Sequence, residues 1–354
     1  MEKDNSSPLK SAEHQQQLEQ QLKIKELEHQ LDLMSPGRLA SYTSAAGQIT
    51  EAINQGANVV NSVTALRSAV MNLYAAFEGT KEFAARHRTL ELVVVNATRR
   101  RLLWEKSFFD SGTTFAGPMP LNVVPVDAKD PVGVTLWTVA NGQGAIMTGV
   151  SGAGKWRLEG TPFSLILGFT NPQFGSIKSE IGLVGRNAET RLAYDACDNV
   201  EAKQYCMFGY TLTVHADEAK AGAERRLVFC IAEDPNTVTH DMGDTLKPGE
   251  YLTPGQFLLS RNGRFAASYQ SDQGVLMIYD LNGLRRSVWS SGTTRRSAWR
   301  CGVNESGQFS VMENERVITW EAPLTVPGGY VKLSDEGSLC LYDNRDKNVW
   351  ATRN

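Results

Sequence analysis

The sequence predicts a mainly β protein with N-terminal helices, in which a β-sandwich is followed by a threefold assembly of short sheets. Three observations predict it. From about residue 88 to 234, short runs rich in β-branched and aromatic residues alternate with Gly, Pro, Asn and Asp, the mark of many strands joined by tight turns. The last hundred residues repeat themselves three times. Before residue 84 the apolar residues recur instead at spacings of three and four, which is helical.

Bulk properties bound the answer. A chain of 354 residues predicts two or three domains, and 41% hydrophobic with 21% charged residues supplies ample core. A net charge of −3 argues against nucleic acid as a partner, because no basic field covers the molecule. The opening MEKDNSSPLKSAEHQQQ is polar and unlike a signal peptide. Five cysteines without a CxxC pair fit free thiols in a reducing compartment. The expected location is cytoplasmic, or outside the cell after release without a signal peptide.

The elements follow in order. Residues 1–35 are a Gln- and Glu-rich helical or coiled-coil arm: Ile24, Leu27, Leu31 and Met34 share a stripe, and Ser35-Pro36-Gly37 ends it. Two heptads are too few for a stable coiled coil, so a solvated helix or partly disordered arm and an oligomerising helix both remain open.

Residues 36–84 form a longer amphipathic helix. Ile49, Ile53, Val60, Val63, Leu66, Val70, Leu73 and Phe77 fall on one face, and Asn54, Asn58, Asn61, Thr64 and Ser68 on the other. Between Leu39 and Phe77 there are two formal charges, Glu51 and Arg67, fewer than a surface helix of this length usually carries. A helix over 48–77 would be about 45 Å long, against a bilayer core of about 30 Å. Its polar face is unsuited to lipid alone. It either packs its stripe on a neighbouring domain or spans a membrane in a ring whose polar faces line water.

Residues 85–235 carry the sandwich strands, among them TLELVVVN, LLWEKSFFDSG, FSLILGFTNP and IKSEIGLVG. Within them GVSGAGKW, residues 149–156, matches the spacing of a phosphate-binding P-loop. A P-loop needs a Ser or Thr after its Lys and a helix behind it, whereas Trp156 follows Lys155 and a strand-like run comes next. The glycines read better as sites of close backbone approach between strands.

Residues 236–247 are a linker, and 248–354 hold the repeats SDQGVLMIY, NESGQFSVM and SDEGSLCLY, each followed after eight to ten residues by a tryptophan (Trp289, Trp320, Trp350). Three like units in β-sequence imply a threefold assembly with the tryptophans in a shared core.

These repeats, with VWSSGT and NVWATRN after them, resemble the bulb-type mannose-binding lectins of monocots. The resemblance implies a β-prism with sugar sites of the form Gln-x-Asp-x-Asn-x-Val-x-Tyr. The matching positions are Ser271, Gln273, Val275, Met277 and Tyr279; then Asn304, Ser306, Gln308, Ser310 and Met312; then Ser334, Glu336, Ser338, Cys340 and Tyr342. Of these, Ser271, Gln273, Tyr279, Ser334, Glu336, Ser338 and Tyr342 are the candidate, degenerate carbohydrate contacts.

Residues 40–234 are similar to the actinoporins on FFDSGTT (108–114), AIMTGVSG (145–152), FTNP (169–172) and RLAYDACD (191–198). That resemblance implies an actinoporin-like β-sandwich that binds a headgroup such as phosphocholine, oligomerises on the membrane and inserts its N-terminal helix. The headgroup positions would be Ser111, Val150, Thr170, Pro172, Phe174 and Tyr194. The family's aromatic cluster after this motif reduces here to Phe174. The stretch GVSGAGKWRLEGTPFSLILGF is as close to the fungal fruit-body lectins, which share the sandwich and make no pores.

The expectation is a pore-forming cytolysin whose partners are a membrane lipid headgroup, glycans and further copies of itself. The alternative is a two-domain carbohydrate-binding agglutinin without pore formation. No enzyme activity, cofactor or metal is expected, since His14, His29, His87, His215 and His240 stand in no ligand or catalytic spacing.

Overall fold

Apolar runs become paired strands from Thr89 onward. The computed structural model describes residues 88–114, 123, 133–142, 148–199, 203–217, 224–233, 239–270, 274–293, 300–312 and 318–352; the 1–35 arm and the 36–84 helix lie outside them. The first lobe contains β1 (Thr89–Ala97), β2 (Leu102–Ser111), β3 (Thr113–Thr114), β4 (Gly133–Ala140), β5 (Val150–Leu158), β6 (Phe163–Asn171), β7 (Lys178–Gly185), helix α1 (Arg191–Asp195), β8 (Asp198–Asn199), β9 (Lys203–Met207), β10 (Tyr210–Asp217) and β11 (Glu224–Glu233). They form two sheets, ordered β3-β4-β1-β11-β10-β9 and β2-β5-β6-β7-β8. In the first, β1 runs parallel to β11 and antiparallel to β4.

Inward side chains of the two sheets meet in one core. Leu92, Val94, Trp137, Leu212 and Phe229 come from one side, and Trp156, Leu165, Leu167, Phe169 and Ile181 from the other. Each such large apolar side chain adds about 1.5–3 kcal/mol relative to exposure. The indoles of Trp137 and Trp156 meet edge to face at 6.1 Å, with Trp104 4.7 Å from Trp156. Gly154 makes this possible, because a Cβ there would lie 2.7 Å from the Trp137 ring. The glycines of GVSGAGKW thus serve strand packing.

On the outer face of the second sheet, α1 lies across β6. Gly168 admits it: a Cβ there would come within 2.1 Å of the Ala193 carbonyl oxygen. Ala153, Ile166, Val184, Ala188 and Ala193 close a small second core beneath the helix.

The second lobe is a β-prism of three sheets. Its strands are β12 (His240–Asp241), β13 (Thr245–Leu246), β14 (Tyr251–Leu252), β15 (Gln256–Leu259), β16 (Phe265–Gln270), β17 (Val275–Asp280), β18 (Arg286–Ser290), β19 (Arg300–Val303), β20 (Gln308–Met312), β21 (Ile318–Thr325), β22 (Tyr330–Leu333), β23 (Leu339–Tyr342) and β24 (Asn348–Ala351). The sheets are β12-β15-β16-β17-β18, β14-β19-β20-β21 and β13-β22-β23-β24. The first sheet is a four-stranded meander and the other two are three-stranded meanders, each joined by one short strand from residues 240–252, so the stretch read as a linker supplies β12 and β13. Trp289 and Trp320 meet at 5.6 Å, and Trp320 and Trp350 at 6.0 Å.

The two lobes share a core. Phe163 stacks on Phe208 at 4.4 Å, and both reach Phe257 of the prism, at 5.0 and 5.7 Å. Tyr279 packs on Phe208 at 5.4 Å. Beside this apolar contact sits a buried ion pair. The Glu180 carboxylate, 4% exposed, takes Arg285 of the prism at 2.6 Å and Lys203 at 3.5 Å. The Ile181 amide donates to it at 2.9 Å. The Arg285 guanidinium also donates to the Ile181 carbonyl at 2.7 Å and lies 3.6 Å over the Tyr205 ring.

Burial works against ionisation of Glu180, but the Arg285 hydrogen bond and charge outweigh it and hold its pKa below the usual carboxylate range. Such a group stabilises the fold above its unfolded pKa of about 4.3, and that contribution is lost as pH falls through the lower folded value. Glu180→Ala, which strands Arg285, should cost about 3–5 kcal/mol at neutral pH. In melting curves taken across pH, the gap between wild type and Glu180→Gln should be full at neutral pH and narrow below pH ~4.

Candidate functional site

β6 is nine residues long, and its two ends face different tasks. Phe163 at one end touches the prism. Asn171 at the other leads into the loop 172–176, about 26 Å away at 3.3 Å per residue. At that far end two hollows adjoin, of about 580 and 520 Å3. They share Thr170, Pro172, Phe174 and Tyr194.

All six headgroup positions expected from the sequence converge here. Ser111 ends β2 and Val150 begins β5; Thr170 and Pro172 flank the end of β6, Phe174 tips the loop, and Tyr194 comes from α1. Val150 is fully buried beneath the hollow, whereas Phe174 is 80% exposed, which is unusual for a phenylalanine. The loop is braced from behind: Arg88 donates to the Gln173 carbonyl at 2.5 Å and Arg225 to that of Gly175 at 3.4 Å.

Several polar neighbours were not singled out from the sequence. Asp110 and Ser151 line the first hollow; Lys178, Arg191 and Asp195 line the second. The signal was adjacency, since Asp110 precedes Ser111 in FFDSGTT and Arg191 and Asp195 lie in RLAYDACD. In the first hollow the Ser151 hydroxyl reaches Asp110 at 3.4 Å, and Ser111 Oγ lies 3.2 Å from the Gly149 carbonyl and 3.1 Å from Ser151 Oγ. Burial and a hydrogen bond to Asp110 raise the Tyr194 pKa, so its phenol stays protonated at neutral pH. In the second hollow Arg191 Nε contacts both Asp195 oxygens, at 3.1 and 3.2 Å, and its guanidinium lies 5.4 Å over the Phe108 ring. Burial pushes the Cys197 thiol up to about 12, leaving it unreactive. The arrangement suits a small ligand carrying both signs of charge next to an apolar surface.

The expected carbohydrate positions are scattered. Ser271 and Gln273 lie outside the described residues. Tyr279 is buried against the sandwich. Ser334 Oγ accepts from the Glu336 and Ser338 amides, both at 3.3 Å, and shapes the turn of the third repeat. Ser338 Oγ lies 3.1 Å from Thr352 Oγ. Tyr342 is half-buried and stacks on Tyr330 at 5.2 Å. The eight positions of the helix stripe, Ile49 to Phe77, lie outside the described residues. Among the described residues no helix is long and apolar enough to cross a membrane, and no three His, Cys, Asp or Glu side chains gather as a metal site.

No family model matches the chain, and no curated protein matches it. Solved structures are similar to parts of it. The lipid binding protein Nakanori is 12% identical over 52% of this chain and 86% of its own, with a TM-score of 0.36. The monomeric mannose-binding lectin of Gastrodia elata is 26% identical over 31% of this chain and 96% of its own, with a TM-score of 0.27. A lectin of Marasmius oreades is 20% identical over 33% and 96%, with a TM-score of 0.29.

Lys155 has an internal role. Its ammonium is buried, donating to the carbonyls of Arg186 at 2.5 Å and Ala188 at 2.9 Å, with Glu105 at 3.4 Å. A bound ligand at a hundred times its Kd adds about 2.7 kcal/mol of stability. ATP with magnesium should instead leave the melting temperature within about one degree of its starting value, measured by scanning fluorimetry.

Proposed function

We propose that this chain binds a membrane surface by seating a lipid headgroup in the hollows beside Phe174, oligomerises there, and inserts residues 36–84 as a pore-lining helix. One observation carries the reading. The exposed Phe174 stands at the rim of a site with the Asp110 carboxylate on one side and Lys178 and the Arg191–Asp195 pair on the other, at the end of the sandwich remote from the prism. An exposed aromatic ring fits the interfacial zone of a bilayer. The chain also arrives at β1 beside this loop, as the bond from Arg88 to Gln173 shows, so the amphipathic segment would start at the bound surface.

The agglutinin reading has one observation in its favour, the stacked Tyr330 and Tyr342 on the third repeat. Against it, Tyr279 of the first repeat is buried on the sandwich, which leaves fewer open faces for cross-linking. Millimolar mannose should give no measurable heat with the full chain; clear binding by calorimetry would favour the agglutinin.

Phe174→Ala should leave stability within about 0.5 kcal/mol of wild type and weaken vesicle partition by about tenfold or more, since one buried Phe is worth about 1.5–3 kcal/mol. Val60→Asp should abolish dye release while sparing vesicle binding, because an aspartate at mid-membrane costs about 2.5–3.5 kcal/mol per helix. Asn61→Asp, on the face that would line water, should chiefly change cation preference. A folded Val60→Asp protein that releases dye as fast as wild type would sink the pore reading.

A further inference from the structure

Resting on the headgroup reading above, the geometry points to a finer selectivity: we propose that the site prefers a phosphoethanolamine headgroup, with its primary ammonium, over phosphocholine. The two cations ask for different walls. A trimethylammonium has no N–H and is held by aromatic faces. A primary ammonium has three N–H donors and needs oxygen acceptors.

The first hollow is an acceptor wall. Asp110 presents an exposed carboxylate. The Ser151 proton is directed to Asp110 at 3.4 Å, and that of Ser111 to the Gly149 carbonyl at 3.2 Å. The two hydroxyl oxygens lie 3.1 Å apart, and each keeps acceptor capacity whichever partner takes its proton. Tyr194 joins the same network, bonded to Asp110 and to Ser151. Asp110, Ser111 and Ser151 therefore offer oxygen acceptors to a primary ammonium.

The same wall is a poor aromatic cage. Tyr194 leans on Phe108, centroids 5.6 Å apart and planes at 46°, and the Phe108 ring already carries Arg191 at 5.4 Å. That leaves Phe174 to meet the acyl boundary. In the adjoining hollow Lys178 would supply the positive charge for the phosphate, beside Arg191, which is paired with Asp195. Thr170 and Tyr194, common to both hollows, would lie under the two-carbon bridge.

The test is a methylation ladder. Vesicles of fixed acyl composition carry an equal fraction of phosphatidylethanolamine, its N-methyl and N,N-dimethyl forms, or phosphatidylcholine, and binding of the full chain is measured by flotation. A parallel arm uses ceramide phosphoethanolamine and sphingomyelin, to separate headgroup from lipid backbone. Affinity should fall at each methylation, by about tenfold in all, in both arms. Asp110→Asn, at an exposed position, should melt like wild type and flatten the ladder. Affinity that stays level or rises with methylation overturns the ethanolamine preference and leaves membrane binding standing. Binding to no vesicle, with Phe174→Ala indistinguishable from wild type, overturns both.

Discussion

The Glu180 carboxylate is the constraint on which the assembly of the two lobes depends. It comes from β7, one strand in from the edge of the second sandwich sheet, yet its closest cation is Arg285 on the prism. A charge this deep is tolerated only when its partners are fixed; here a guanidinium, an ammonium and a backbone amide surround it. Arg285 is fixed in turn by the Ile181 carbonyl and the Tyr205 ring. The apolar contact of Phe163, Phe208, Phe257 and Tyr279 runs alongside, so that one core crosses from sandwich to prism. The apolar part supplies most of the favourable energy, while the ion pair adds directional contacts across the same boundary.

That docking also decides which surfaces remain open. Along β17 the side chains alternate: Leu276 and Ile278 face the prism core, and Met277 and Tyr279 face the sandwich. The candidate sugar face of the first repeat is thereby spent on holding the lobes together. At the other end of β6 no described residue of the prism lines the Phe174 hollows.

Much of this was legible in the sequence, because period-two runs and turn residues act locally. The sandwich strands, the three repeats and the tryptophan core could be read from alternation alone. So could the glycines of GVSGAGKW, since Trp156 in place of a hydroxyl residue excluded the P-loop chemistry. The six candidate headgroup positions fall together because five sit at strand ends or in the loop after β6 and Tyr194 sits on the short helix α1 laid across that strand. What could not be read is non-local. β12 and β13 are two residues each, too short to show a period, and they exist because a neighbouring edge pairs with them. The parallel register of β1 on β11 joins residues 135 apart, as between Glu91 and Arg226. Glu180, in KSEIGLVG, reads as a polar residue in a strand until Arg285 is brought to it. Asp110 and Ser151 become one acceptor wall only when β2 pairs with β5.

The charges around Phe174 bear on how such a site would act. They are of both signs, Asp110 and Asp195 against Arg88, Lys178, Arg191 and Arg225, and beyond about 8 Å physiological salt screens exposed charges. At such salt, steering toward a surface would act only at short range, and retention on a membrane would come from contact: the ring entering the interface and the headgroup meeting its acceptors. Contact of this kind is short-ranged and oriented, which favours one end of the sandwich against the bilayer rather than a loose electrostatic association. With that end down, the chain entering at Arg88 stands at the lipid boundary. Any segment tethered there has a raised effective concentration at the bilayer without needing strong affinity of its own. A weakly charged amphipathic helix, poor at binding membranes through basic residues, is the kind of segment for which such delivery would matter most.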